Sequence, residues 1–74
     1  MAAAVANASS IVEGEVVEVL SGLGLAHVQT TDGRILGITR KTPGVVFDLL
    51  RPGQRLRCRV TERFHRVLHA DVLS

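Results

Sequence analysis

The sequence predicts a small all-β protein folded as a five-stranded Greek-key barrel. Three observations carry that expectation. Apolar and polar residues alternate with period two through five short runs, the spacing that sends successive side chains to opposite faces of a strand. Turn signals punctuate the runs at Ser21-Gly22, Asp32-Gly33, Pro43-Gly44 and Pro52-Gly53. One long connection, Arg40 to Gly53, follows the third run.

Ile11 to Leu20 alternates well enough for a half-buried first strand. Val12, Gly14, Val16 and then Val19 fall mostly on one side, with Glu13, Glu15 and Val17 on the other. Ser21-Gly22 turns the chain, since glycine reaches positive φ without a Cβ clash. In the second strand, Gly24 to Thr30, Leu23, Leu25 and His27 share one face while Gly24, Ala26 and Val28 share the opposite one. Thr31-Asp32-Gly33 is the strongest hairpin signal in the chain. Arg34 to Thr39 forms the third strand, with Leu36 and Ile38 toward the core and Gly37 and Thr39 outward.

Thr42-Pro43-Gly44 is a turn, and Val45 to Leu50 fits a single helical turn carrying Val46, Phe47 and Leu50 against the barrel. Beyond Arg51-Pro52-Gly53, Gln54 to Thr61 alternates cleanly. Leu56, Cys58 and Val60 point inward; Arg55, Arg57, Arg59 and Thr61 point outward. Glu62 to His65 reverses the chain into Val67 to Val72, with Leu68, Ala70 and Val72 on the buried side. Strands near residues 12–20, 24–30, 34–39, 54–61 and 66–72 thus close into a small Greek-key barrel of the OB type. The expected core is Val16, Val19, Ala26, Val28, Leu36, Ile38, Leu56, Cys58, Val60, Leu68 and Ala70.

Composition bounds the rest. Seventy-four residues make one domain, read here as residues 11–74 behind an alanine-rich tail, residues 1–10, expected to be disordered. The tail lacks the basic start and long apolar run of a signal peptide. Cys58 is the lone cysteine, so an internal disulfide is ruled out and a reducing, cytoplasmic compartment fits best. No run approaches 18 apolar residues, which excludes a spanning helix and leaves no membrane role.

Net charge is only +2, but its layout is uneven. Glu13, Glu15 and Glu18 sit together on the first strand, while Arg51, Arg55, Arg57, Arg59, Arg63 and Arg66 crowd the last third of the chain. At period two, Arg55, Arg57 and Arg59 project from one strand face about 7 Å apart, a spacing that suits successive phosphates of an extended strand. Arginine forks hold phosphate bidentately. A solvated surface, with the arginines partly paired to Glu62, Asp48 or Glu13, accounts for the same pattern.

The order of residues resembles the cold-shock domain. Gly14-Glu15-Val16 matches its glycine-x-valine first strand, and Ser21-Gly22-Leu23-Gly24-Leu25-Ala26 lies where its lysine-glycine-phenylalanine-glycine-phenylalanine-isoleucine motif stands. Asp32-Gly33 corresponds to its turn. Phe47 to Leu56 is similar to its phenylalanine, leucine and glycine-glutamine run, and His69-Ala70-Asp71-Val72 to its ending. The resemblance implies an OB barrel that binds single-stranded RNA or DNA without catalysis or cofactor. It assigns contacts to Leu23, Leu25, His27, Thr39, Arg40 and Lys41, with the β-strand arginines Arg55, Arg57 and Arg59 added on charge. The family's stacking aromatics are replaced: Leu23 and Leu25 stand for two phenylalanines, Gly37, Thr39 and Arg40 for the second motif, and Glu15, Val17 and Glu18 for the lysine and tryptophan positions. Aliphatic side chains lack the flat π surface that makes each stacked base worth about 1–3 kcal/mol. Carboxylates also repel phosphate.

Other chemistry is poorly represented. His65 and His69 are four apart, a helical rather than a strand spacing, and with His27 they lack the company of a metal site. Cys58 is in phase with Leu56 and Val60 and reads as a core residue. No acid pair, phosphate loop or nucleophile–base set appears, so no catalytic residue is expected. Leu23, Leu25 and Val17 together suggest an exposed aliphatic face, and with it a rival function, protein contact or homodimerisation.

Overall fold

The computed structural model describes residues 8–74, so most of the expected tail lies outside the described residues. The five strands are β1 (Ser9–Leu20), β2 (Leu25–Thr30), β3 (Ile35–Thr39), β4 (Arg55–Thr61) and β5 (Val67–Val72). They form one antiparallel sheet in the order β3-β2-β1-β4-β5, curled into an OB-type half-barrel whose outer strands, β3 and β5, approach without a hydrogen-bonded ladder. The expected all-β class and the five strands therefore hold. Ser9 and Ser10 belong to β1 rather than to the tail, because they pair with Thr61 and Val60 of β4.

β1 organises the molecule. Its first half, Ser9 to Glu15, pairs with β4, and its second half, Gly14 to Leu20, pairs with β2. Only Gly14 and Glu15 have partners on both sides. The strand bends there, so tightly that a Cβ on Gly14 would sit 2.7 Å from the Gln29 carbonyl oxygen and 2.7 Å from Val28 Cγ1. A bulge at Val17 then offsets the ladder by one residue. That offset is why Val16 and Val19 both face the interior although they are three apart.

The core is Val16, Ala26, Val28, Leu36, Ile38, Leu56, Cys58, Val60 and Ala70, plus two residues from the long connection, Phe47 and Leu50. A short 3-10 turn, Phe47–Leu49, inserts those two side chains under the barrel. Each contributes about 1.5–3 kcal/mol relative to exposure. The loop is tied back at both ends: Gly53 N–H donates to the Val16 carbonyl at 2.7 Å, and Ala70 N–H donates to the Pro43 carbonyl at 3.0 Å.

Several expectations need correction. Val46 precedes the 3-10 turn in an extended conformation and is 65% exposed, so Phe47 and Leu50 alone act as the plug. Leu68 and Val72 are largely exposed, and Val19 is only half-buried. In β5 the ladder slips between Arg59 and Val60, pairing Val60 with Val67 and leaving Leu68 as the extra residue. One inserted residue reverses which side chains face inward. At the β1–β2 turn the left-handed residue is Gly24, at φ 64°, and not Gly22. The second strand accordingly begins at Leu25.

Candidate nucleic-acid interface

Alternation puts Arg55, Arg57 and Arg59 on the outer face of β4, all exposed. The register of β1 against β4 sets Glu13 opposite Arg57 and Glu15 opposite Arg55. Glu13 takes both arginines: Arg55 Nη2 donates to Oε1 at 3.1 Å, and Arg57 Nη2 lies 3.5 Å from Oε2. The Arg55 hydrogen bond, opposed by desolvation and helped by Arg57, lowers the Glu13 carboxyl below its usual range. On the other side Arg57 faces Asp71 of β5. The middle of the arginine row is thus compensated. Arg59, facing Ile11 and His69, has no carboxylate partner among the described residues.

The second group of candidates sits around the ends of β2 and β3. Leu23 is 77% exposed in a 3-10 turn (Ser21–Leu23), whereas Leu25 and His27 are half-buried on β2. His27 Nδ1 lies 3.0 Å from Glu18 Oε1 on the neighbouring strand. Arg40 is spent internally. Its Nη1 donates to Asp48 Oδ1 at 2.6 Å, its Nη2 donates to the Ser21 carbonyl at 3.3 Å, and its guanidinium lies 4.7 Å from the Phe47 ring centroid. Thr39 N–H donates to Thr42 Oγ1, which fixes the turn into Lys41. Lys41 itself is exposed and without an ion pair among the described residues.

Two adjoining grooves meet at Thr39 and Lys41. One, about 470 Å³, runs along the β1–β2 turn past Leu23 and Arg40. The other, about 330 Å³, crosses Gly37 and Thr42 to His65, Arg66 and Val67 in the β4–β5 loop. No carboxylate lines either groove. The fold therefore brings Leu23, Thr39, Arg40 and Lys41 together along one groove, whose lining does not include Arg55 or Arg57.

Sequence reasoning missed the β4–β5 loop. Arg63, Phe64, His65 and Arg66 are all exposed there, Phe64 at 78%. The signal was present: three bases or imidazoles surround one of only two phenylalanines in the chain. The loop is held at its base. His65 N–H donates to the Thr61 carbonyl at 2.8 Å, Thr61 N–H to the Arg66 carbonyl at 2.9 Å, and Arg66 N–H to Thr61 Oγ1 at 3.0 Å.

Burial, and secondarily Asp71, pushes the Cys58 thiol up to about 11, so it remains an uncharged core side chain at neutral pH. Among the described residues no three His, Cys, Asp or Glu side chains gather as metal ligands, and no helix is long and apolar enough to cross a membrane. Compared with protein-family models, characterised proteins and solved structures, the chain matches none.

Proposed function

We propose that the chain is a non-enzymatic, cold-shock-type module that binds single-stranded nucleic acid weakly, through lysine and arginine contacts to phosphate, in a cytoplasmic setting. The observation that carries this reading is the pair of acid-free grooves meeting at Lys41, with Arg66 on the far wall. A polyanion entering there meets Lys41, Arg66 and the Thr39 hydroxyl, while the Asp48 carboxylate is already engaged by Arg40. The row of β4 arginines contributes chiefly through Arg59, since Glu13 engages Arg55 and Arg57. Backbone neutralisation of this kind gives salt-sensitive, weakly selective binding.

Titration of a labelled single-stranded oligonucleotide at low and moderate salt tests the reading. For single strands, log K falls with log salt by about 0.7 per phosphate contacted. The double variant Lys41→Gln, Arg66→Gln is expected to lower that slope by about 1.4 and to weaken binding on every sequence alike. No binding by the folded wild type at low salt would overturn it.

A second reading, a protein-contact or self-association module through Leu23 and Leu25, rests on the exposure of Leu23. Leu23→Ser separates the two. Loss of self-association with unchanged oligonucleotide binding would favour the contact module.

A further inference from the structure

We infer that Phe64 is a base-stacking platform, so that the β4–β5 loop supplies the aromatic surface that β1, β2 and β3 lack; this rests on the single-strand reading above. Four observations converge on it. Phe64 is the only aromatic residue with its side chain in solvent, at 78% exposed, while Phe47, the other phenylalanine, is buried in the core. A ring so exposed contributes little to the core, and its π surface stands in solvent where a planar group can reach it.

The ring also has a cation beside it. The Arg63 guanidinium lies 5.5 Å from the Phe64 ring centroid and covers one face. The opposite face is left for a planar group, and a base there would complete an arginine–phenylalanine–base stack. Every base has a π face, so such a platform is tolerant of sequence.

The loop is pre-shaped. Three hydrogen bonds close it across Thr61, His65 and Arg66, and His65 adopts a left-handed conformation at φ 53°. A ring presented on a braced turn loses little further freedom on binding. Finally, its neighbours His65 and Arg66 line the groove that Lys41 shares. A strand whose phosphates follow Lys41 and Arg66 therefore passes the residue next to Phe64, and one base turned outward reaches the ring.

The test compares wild type with Phe64→Ala, Phe64→Leu and Phe64→Trp. Each is titrated at low salt with an oligothymidylate of about 12 nucleotides, within the site size of one OB barrel, and with an abasic strand of equal length. Phe64→Ala is expected to raise Kd for oligothymidylate about five- to 150-fold, the range that base–aromatic stacking covers. Phe64→Leu should lose nearly as much, since it keeps apolar area without a π face. Affinity for the abasic strand and the salt slope should not change, because no charge is removed.

Phe64→Trp is expected to keep its affinity. The chain has no other Trp and no Tyr, so the emission of that one residue reports the site directly and should be quenched by oligothymidylate and not by the abasic strand. If wild type binds but Phe64→Ala binds equally well and Phe64→Trp stays bright, the stacking platform is overturned and the phosphate reading survives. If folded wild type fails to bind at low salt, both fall.

Discussion

Arg40 Nη1 stands 2.6 Å from Asp48 Oδ1, and this pair fastens the end of β3 to the 3-10 turn that plugs the barrel. The same guanidinium covers Phe47 and reaches the Ser21 carbonyl. Arg40 therefore joins three segments, although it looks from the sequence like a free base in a binding motif. An exposed ion pair contributes up to about 1 kcal/mol, and a cation over a ring about 0.5–1 kcal/mol. Arg40→Ala is expected to destabilise the fold by about 1–2 kcal/mol in urea denaturation. Lys41→Gln should leave stability within about 0.5 kcal/mol, as surface substitutions do. In oligonucleotide titration of the folded proteins the order should invert, with Lys41→Gln the weaker binder.

Glu13 holds Arg55 and Arg57 away from any polyanion. Replacing it with Gln removes the charge that engages both guanidinium groups. Glu13→Gln is expected to bind single strands more tightly and to steepen the salt slope by about 0.7–1.4, one or two further phosphates. Arg59→Ala should weaken wild type more than Arg55→Ala does. Equal losses from the two arginines would contradict the compensation seen across β1 and β4.

Strong acid should loosen the β2–β3 turn. The Thr30 hydroxyl, and after it Arg34, lower Asp32 from 3.8 to about 2, and the Thr30 hydroxyl donates directly to its carboxylate. A carboxyl whose pKa is lower in the folded chain than in the unfolded one favours folding in its charged form. That contribution is whole above pH 3.8 and drains away as pH falls through about 2. Denaturation midpoints measured between pH 6 and pH 2, with about 0.1 M salt held constant, are expected to decline over that interval. Asp32→Asn should start lower and decline less.

His65 carries a left-handed backbone that favours glycine. The strain on an L residue there is roughly 1–2 kcal/mol, and glycine's greater freedom in the unfolded chain offsets part of it. His65→Gly is expected to stabilise by about 0.5–1 kcal/mol and to raise Tm by a few degrees, about 2–8 °C. Gly14→Ala should do the opposite. Its methyl group would press on the Gln29 backbone at the bend of β1, a loss of about 1–3 kcal/mol.

Local pattern made the barrel legible. Leu36 with Ile38, Ala26 with Val28, and Leu56 with Cys58 and Val60 declare their inner face by period two alone, and all seven are buried. What escaped was decided by partners distant in sequence. The slip that exposes Leu68 is set where β5 meets β4, and no residue within β5 announces it. The sequence offers Glu62, Asp48 and Glu13 alike as partners for the arginine row, and only the placing of β1 beside β4 selects Glu13. Lys41 and Arg66 likewise share a groove only after the sheet has curled. Phe64 is a different case: its turn was legible, but exposure of one ring depends on the loop's detailed path.

The division of β1 between two partners also sets a timetable. Gly14 to Leu20 can pair with β2 as soon as Thr30 has been made, whereas Ser9 to Glu15 find their ladder only in Arg55 to Thr61. Synthesis at about 5–20 residues per second leaves that first half waiting on the order of seconds, with Val12 uncovered. Refolding from denaturant, followed by stopped flow, is expected in the millisecond-to-second range for a topology so dependent on distant pairing. A newborn chain thus carries a half-matched strand until its fourth strand emerges, and that interval is when it is most open to pairing with a stranger.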